Sequence, residues 1–295
     1  MTVDIGRVGI WTGVLDGQPT TMAQEAAAEL ESLGYGALWI PEAVGRDPMV
    51  SAANLLAATK TLRIATGIAN IYARDPMTMA AGQKTLAEAY PGRFLLGIGV
   101  SHRHLVEHLR KHSYAKPYSF MAEYLDAMDS ALFMAVGPTE DPGRVLAALG
   151  PKMLKLSANK ASGAHPYFVP VEHTADARAV MGPDALLAPE QMVVLESDPA
   201  KAREIARTGM SIYLRAPNYV NNLKRYGFTD DDVANGGSDR LVDAIVAWGG
   251  VDQALARVKA HHAAGANHVC VQVLSADARA VPIPEWRELA PALLS

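Results

Sequence analysis

Eight short apolar runs, rich in β-branched and aromatic residues, recur along the chain between longer segments with a helical period of apolar residues. This alternation is typical of β/α units around a parallel sheet, because a helix must return the chain to the same edge before each new strand. The predicted strands are Ile5 to Trp11, Gly36 to Glu42, Leu62 to Asn70, Phe94 to Gly99, Arg144 to Gly150, Ala164 to Val169, Gln191 to Glu196 and His268 to Val273.

Eight such units and a final helix from Glu285 to Leu294 favour an α/β protein with a closed (β/α)8 TIM barrel over an open doubly wound sheet. Two connections are unusually long, Val100 to Gly143 after strand four and Ser197 to Asn267 after strand seven. Long loops in a barrel usually cover its mouth. We therefore expect one domain, residues 1–295, with its site at the carboxyl ends of the strands.

Composition excludes several function classes. Hydrophobic residues make up 49% of the chain and charged residues 20%, and the formal net charge is −4, so no overall field attracts nucleic acid or an anionic membrane. The first residues, MTVDIGRVGIWTG, lack a signal-peptide pattern, and no apolar run approaches the roughly 20 residues that span a bilayer. These features predict a cytoplasmic protein that binds neither nucleic acid nor membrane.

The stretch LLGIGVSHRHLVEHLRKH, from Leu95 to His112, resembles two motifs without completing either. GIGVSH has two glycines after a strand but lacks the third glycine of a dinucleotide-binding loop. His104, His108 and His112 are spaced to share a helix face, yet no acidic residue completes a metal-ligand pattern. We expect a solvated helix face there and no metal site.

Three residues at strand ends are candidates for ligand contacts. Gly67 interrupts the third strand, where a glycine marks either a packing site or close approach of the backbone to a ligand. Trp11 ends the first strand, and His165 lies on the sixth. Trp11 and His165 are predicted to contact substrate at the barrel mouth, with burial in the core as the alternative.

Several motifs resemble the bacterial luciferase-like barrel superfamily and, within it, the short oxidoreductases that use the deazaflavin coenzyme F420. The resemblance covers nearly the whole chain. It rests on GYGALWIPEA at strand two, LRIATGIANIYARDPMTMA at strand three, YPGRFLLGIGVSH at strand four, ALGPKMLKLSA at strand five, and the closing GANHVCVQV with WRELAPALL.

This resemblance implies a cofactor site and a homodimer. A cis peptide between Gly67 and Ile68 would form a bulge behind the cofactor ring. The cofactor tail, which carries phosphate and carboxylates, would run past backbone amides and basic side chains, with Lys152 and Lys155 as candidates. The residues matching the cofactor-binding positions are Gly67, Ile68, Ala69, Asn70, Val100, Ser101, Leu149, Gly150 and Pro151.

The chain departs from the family pattern at the acid and base positions. Some F420-dependent dehydrogenases carry an acidic residue and a histidine after strand two and a glutamate after strand four. Here the first pair reads Glu42-Ala43, and His102 occupies the second position. Glu42 and His102 are therefore the catalytic candidates. An imidazole with an unperturbed pKa near ~6.5 is a capable proton donor, although it could equally pack against the cofactor.

Three functions remain open from the sequence. The leading hypothesis is an F420-dependent oxidoreductase that moves a hydride between the deazaflavin C5 and a small organic substrate. The alternatives are an FMN-dependent luciferase-like monooxygenase and a non-catalytic flavin-binding barrel. Fold alone does not separate them, because this barrel supports many chemistries.

Overall fold

A computed structural model describes residues 4–295 as a curled sheet of parallel strands surrounded by helices. The strands follow the order β10-β9-β11-β1-β2-β3-β5-β6-β7-β8, and β4 pairs with β5. They are β1 (Val8–Trp11), β2 (Ala37–Ile40), β3 (Arg63–Thr66), β4 (Ala69–Asn70), β5 (Phe94–Gly99), β6 (Arg144–Leu146), β7 (Gly163–Ala164), β8 (Leu186–Leu187), β9 (Glu190–Val194), β10 (Val246–Trp248) and β11 (Val269–Val273).

The helices follow the strands in alternation and pack outside the sheet. Proline at the first turn begins α2, α3, α5 and α7, where the missing N–H costs no hydrogen bond. They are α1 (Thr20–Leu33), α2 (Pro48–Ala57), α3 (Pro76–Ala89), α4 (Pro117–Asp129), α5 (Pro151–Lys160), α6 (Val171–Met181), α7 (Pro199–Met210), α8 (Pro217–Arg225), α9 (Asp230–Val233), α10 (Asp239–Ile245), α11 (Val251–Ala263) and α12 (Ile283–Leu293).

The segment Leu186–Val194 closes the barrel as its seventh strand. At one edge, Ala188 N donates to Ala164 O and Glu190 N donates to Pro166 O, each at 2.9 Å. At the other edge, Cys270 N donates to Pro189 O at 2.9 Å. Strand seven is thus bonded to strands six and eight, and the predicted eight-stranded barrel is confirmed.

Of the predicted strands, the fifth and sixth lose most at their carboxyl ends, for identifiable reasons. Strand six ends at Ala164 rather than Val169, because Pro166 has no N–H and Phe168 has a φ of +58°. Strand five ends at Leu146 rather than Gly150, because Gly150 already caps the next helix. The carboxyl ends of both strands therefore become loops at the mouth.

Both long connections lie over the mouth, and the second contains a strand that the sequence did not predict. After β5 the chain makes a π-helical turn, Leu105–Leu109, before α4. After β9 it forms α7 to α10 and then β10, which pairs with β9 through Val246↔Met192 and Trp248↔Val194. Because the apolar run DAIVAW continues directly from α10, its last three residues gave no separate strand signal.

Side chains alternate between the interior of the barrel and the layer beneath the helices. Trp39, Leu95 and Cys270 point inward, whereas Leu38, Leu96 and Val271 pack under the helices. Both layers are closely buried, as expected for parallel strands covered on each face. Among residues 4–295, no helix is long and apolar enough to cross a membrane.

Candidate active site

The third strand is interrupted at the mouth by a bulge between β3 and β4. The peptide between Gly67 and Ile68 is cis, as the resemblance implied. Gly67 N donates to Ile40 O at 2.7 Å, and Gly67 O accepts from Trp11 Nε1 at 2.9 Å. The bulge is therefore fixed from β2, its neighbour in the sheet, and by a side chain of β1.

The Thr66 hydroxyl replaces the missing ladder bonds on the other side of the bulge. It donates to Gly97 O at 2.7 Å and accepts from Gly97 N at 2.8 Å. A Cβ at position 97 would lie only 2.0 Å from Thr66 O, so no larger residue fits there. This close approach explains the glycine in the middle of β5, which the sequence alone left open.

Glu42 holds the bulge through a buried ion pair. Its Oε2 accepts from Asn70 N at 2.7 Å and from Arg74 Nη1 at 2.8 Å, while Oε1 accepts from Arg74 Nη2 at 3.0 Å and Arg110 Nη2 at 3.3 Å. The Glu42 and Arg74 side chains are only 6% and 9% exposed. This bidentate geometry makes Glu42 a positioning residue, which holds the Asn70 backbone beside its ion pair with Arg74.

Trp11 and His165 lie against the inner side of the bulge. Trp11 packs on Tyr167, with ring centroids 5.0 Å apart. His165 is 1% exposed, stacks on Trp39 at 4.4 Å, and donates from Nδ1 to Ala188 O at 2.7 Å. Burial lowers the His165 pKa to about 4. Trp11 can wall the mouth, whereas His165 belongs to the floor beneath Gly67 and not to its open surface.

The end of β5 presents Val100, Ser101 and His102 at the mouth, as predicted. Ser101 has a φ of +54°, and its carbonyl accepts from the Tyr114 hydroxyl at 3.1 Å. His102 Nδ1 lies 3.1 Å from Asn218 Oδ1, and its ring lies 5.4 Å from that of Tyr219. Burial lowers the His102 pKa, partly offset by the Asn218 bond, so the neutral imidazole is favoured.

The turn at Leu149, Gly150 and Pro151 leads into α5, whose amino-terminal amides are not capped by a side chain. Gly150 is the N-cap residue of α5, and no side chain caps its first-turn amides. Leu149 O accepts from His173 Nε2 at 2.8 Å and from Arg225 Nη1 at 3.4 Å.

An unpaired donor lies beside Arg225 on the same helix, α8. The Asn222 side chain is buried, and its Nδ2 has no hydrogen-bond partner among the described residues, although its Oδ1 accepts from Arg225 at 3.3 Å. Buried amide donors are normally paired. Free helix amides, a guanidinium and an orphan amide donor together make this corner suited to an anion.

A groove of about 370 Å³ opens between the loop after β2 and the π-helical turn. It is lined by basic, acidic and apolar residues, among them Arg46, Arg110, Glu42, Asp47, Val44, Leu105 and Leu109. Val44 and Leu109 are 77% and 58% exposed. The groove can accept a ligand that carries both apolar and anionic groups.

The remaining histidines of the opening motif lie in and around the π-helical turn. His104, His108 and His112 are all exposed, and none of their imidazole rings has a hydrogen-bond partner among the described residues. Across residues 4–295, no group of three or more His, Cys, Asp or Glu side chains could hold a metal ion.

Sequence reasoning missed the contribution of the second long connection. Asn218, Asn222 and Arg225 all lie on α8, in a segment whose position over the mouth no motif indicates. Glu190 was missed as well, although a glutamate inside the apolar run ALLAPEQMVVL is itself an unusual signal. Such a residue in a core strand requires a specific explanation.

Two relatives match the chain in sequence, and one of them is named for F420. A Mycobacterium tuberculosis protein, provisionally named a coenzyme F420-dependent oxidoreductase, is 30% identical over 120 residues; the match spans 41% of this chain and 35% of that protein. The chain thus matches only about a third of that relative. The 5,10-methylenetetrahydromethanopterin reductase of Archaeoglobus fulgidus is 28% identical over 251 residues, covering 75% of this chain and 74% of that protein.

Solved structures share the fold at low identity. An F420-dependent secondary alcohol dehydrogenase, solved with an F420-acetone adduct, superposes with a TM-score of 0.80 at 17% identity, covering 97% of this chain and 98% of that one. The oxygenating part of 3,6-diketocamphane monooxygenase from a Pseudomonas putida plasmid, solved with FMN, gives 0.70 at 15% identity, covering 96% and 95%. The family model described as luciferase-like monooxygenase matches residues 7–268. The chain therefore belongs to this family of luciferase-like enzymes.

Proposed function

We propose that the protein is an F420-dependent oxidoreductase that transfers a hydride between the deazaflavin C5 and a small organic substrate. The anion corner at Gly150, Asn222 and Arg225 carries this proposal, because it meets the need of a cofactor phosphate. When bound, F420 supplies or accepts the hydride. The chain's own part is to hold the ring rigidly against the bulge with one face open to substrate.

The residues at the mouth fit such a cofactor on both of its sides. The bulge at Gly67 and Ile68 offers backbone to the ring, and Ser101 and Gly150 flank it from strands four and five. A tail with several carboxylates also needs cations beyond the phosphate site. We assign them to Arg46 and Arg110 of the 370 Å³ groove, whose lining also includes Glu42 and Asp47. FMN, whose tail ends at a single phosphate, has no carboxylate to place there.

The names of the relatives support the same choice. The two matching proteins above are named for F420 and for methylenetetrahydromethanopterin reduction. A structural neighbour with FMN keeps a monooxygenase as the second candidate.

We further propose one catalytic domain, residues 1–295, working as a cytoplasmic homodimer with a small-molecule substrate. Analytical ultracentrifugation of the purified protein tests the dimer.

Cofactor binding tests the function. Fluorescence quenching and calorimetry should show saturable F420 binding that is at least tenfold tighter than FMN binding. Arg225→Gln should weaken both cofactors, since both carry a phosphate, whereas Arg110→Gln should weaken F420 alone. Lys259→Gln, an exposed change on α11, is the matched control. Tight FMN binding with undetectable F420 binding would instead establish the monooxygenase alternative. Cofactor binding without hydride transfer to any substrate would indicate a non-catalytic barrel.

A further inference from the structure

The imidazole of His102 is held at only one of its two nitrogens. Nδ1 lies 3.1 Å from Asn218 Oδ1, whereas Nε2 has no hydrogen-bond partner among the described residues and is not enclosed by protein. Two buried rings differ from it, because Nε2 of His165 and Nδ1 of His173 are unpaired but enclosed. His102 therefore keeps one nitrogen accessible at the mouth, directly after the end of β5.

The bond to Asn218 fixes which nitrogen of His102 carries the hydrogen. An amide oxygen only accepts hydrogen bonds, so Nδ1 is the donor. In a neutral imidazole the other nitrogen is then unprotonated, and its lone pair can accept a proton. When Nε2 gains that proton, Nδ1 still donates to Asn218. The same contact therefore holds the ring in both protonation states and leaves Nε2 as the atom that exchanges protons.

The surroundings of His102 favour the neutral ring without preventing its protonation. Burial lowers the His102 pKa, and the Asn218 bond opposes this effect because it stabilises the imidazolium. Two further titratable groups face the ring, the His104 imidazole at 6.1 Å and the Tyr219 phenol at 5.4 Å between ring centroids. The histidine at the end of β5 can thus accept a proton and release it again.

The helix that carries Asn218 is anchored by other contacts. In α8, Tyr219 and Leu223 are buried in the interior cluster of the barrel, and Arg225 donates to Leu149 O at 3.4 Å. Asn218 itself is exposed. Its backbone position is therefore set by the rest of α8, and replacing its side chain should leave the fold intact.

We propose that Asn218 is the positioning residue of the proton transfer, holding His102 with Nδ1 protonated so that Nε2 exchanges a proton with an oxygen of the substrate. This inference rests on the proposed function. In the oxidative direction, the C–H bond of an alcohol carbon breaks, and its hydride leaves to the oxidised cofactor, which gains two electrons. The O–H bond breaks as Nε2 takes the proton, the carbonyl forms, and the imidazolium later loses the proton to solvent. Reduction of a carbonyl reverses these transfers.

The first test uses the protein without cofactor. At about pH 8, above the range in which free histidine titrates, ¹⁵N NMR should show His102 with a protonated Nδ1 and an unprotonated Nε2, and His102→Gln identifies its signals. Asn218→Ala should move both nitrogens toward an average of the two tautomers. Asn218→Asp should restore the wild-type tautomer and raise the His102 pKa by about 1.

The control for this test is Asn221→Ala, an exposed change on the same helix. It should leave the His102 signals unchanged. A protonated Nε2 in the neutral wild-type ring, or the same tautomer in wild type and Asn218→Ala, would overturn the proposal. This result is independent of F420 binding, so it separates failure of the inference from failure of the proposed function.

The second test is turnover by the F420-loaded protein, with oxidation of cyclohexanol and reduction of cyclohexanone as probe reactions. Asn218→Ala should lower kcat about tenfold, the effect of losing one hydrogen bond, with KM and F420 affinity within about threefold of wild type. Asn218→Asp should regain most of this loss. The low-pH limb of cyclohexanol oxidation should also move up by about 1 in Asn218→Asp, because oxidation needs the unprotonated Nε2.

A double-variant cycle shows whether Asn218 acts through His102. His102→Ala should lower kcat about 10²-fold, and adding Asn218→Ala should lower it no further. A merely structural Asn218 predicts additive losses and an unmoved pH limb. Either of those results, or no turnover of either probe by the F420-loaded protein, would overturn the positioning role.

Discussion

At the scale of single residues, burial decides what each charged group at the mouth can do. Glu42 and Glu190 are both nearly inaccessible, yet their surroundings oppose one another. Arg74 and Arg110 form ion pairs with Glu42, whereas within residues 4–295 Glu190 accepts a hydrogen bond from Phe168 N and forms no ion pair. The same residue type is therefore an ion-pair partner in one place and, among the described residues, a carboxyl without an ion pair in the other. In the sequence the two glutamates look alike, because each follows apolar residues.

Glu42→Gln tests the structural part of this contrast. Removing the carboxylate leaves the Arg74 guanidinium buried without its principal partner, so the free energy of unfolding should fall by about 3 kcal/mol. Asp47→Asn is the matched control, because Asp47 also binds Arg74 but its side chain is 46% exposed, and asparagine caps α2 equally well. The free energy of unfolding of Asp47→Asn should fall by less than about 1 kcal/mol. Urea denaturation measures both, and equal losses would contradict the assignment of Glu42 as a positioning residue.

At the scale of elements, the sequence predicted the strands well where they are regular and poorly where function distorts them. β5 was predicted to the residue, since FLLGIG is uniformly apolar. Strand three was predicted as continuous from Leu62 to Asn70, yet it breaks around Gly67 and Ile68. Period-2 patterns report which side chains are buried, and they carry no information on a local bulge. The tertiary position of α8 was equally invisible, because it depends on contacts with distant loops.

The contact between α8 and the end of β5 gives a prediction at this scale. Asn218→Ala removes the bond to His102 and should raise amide exchange across α8 about fivefold to tenfold, as expected for loss of about 1 kcal/mol of local stability. Asn221→Ala is the control, since Asn221 is exposed on the same helix and makes no hydrogen bond among the described residues. Hydrogen exchange detected by mass spectrometry measures the exchange of the α8 amides in both variants. Similar exchange in the two variants would show that His102 does not hold the helix.

For the whole molecule, buried histidines set the lowest pH at which the folded state remains stable. Burial lowers the pKa of His165, His173 and His268 to about 4 and that of His261 to about 3. The unfolded chain binds protons at these rings below about pH 6.5, whereas the folded protein does not. Stability is therefore lost as the pH falls from about 6.5 toward 4. Glu190 acts in the opposite direction, because its raised folded-state pKa costs stability as the pH rises from about 4.5 to 8.

Acid denaturation tests this balance. Each histidine should contribute about 1.4 kcal/mol per pH unit over its window, so the four together give a slope of up to about 5 kcal/mol per unit near pH 5. Urea denaturation between pH 4.5 and 7.5 measures the slope. His261→Asn should reduce it, and exposed His108→Asn should leave it unchanged. A stability that does not vary with pH across this range would contradict burial of neutral rings.

The pairing of β10 with β9 has a consequence for how this family can diversify. The segment between them, which carries Tyr213, Tyr219 and α8, leaves the barrel from one strand and returns beside the same strand. Its two ends are thus held a few ångströms apart, whatever its internal sequence or length. An enzyme built this way can replace the whole segment between β9 and β10 with another sequence, while the strands of the barrel and the bulge keep their register.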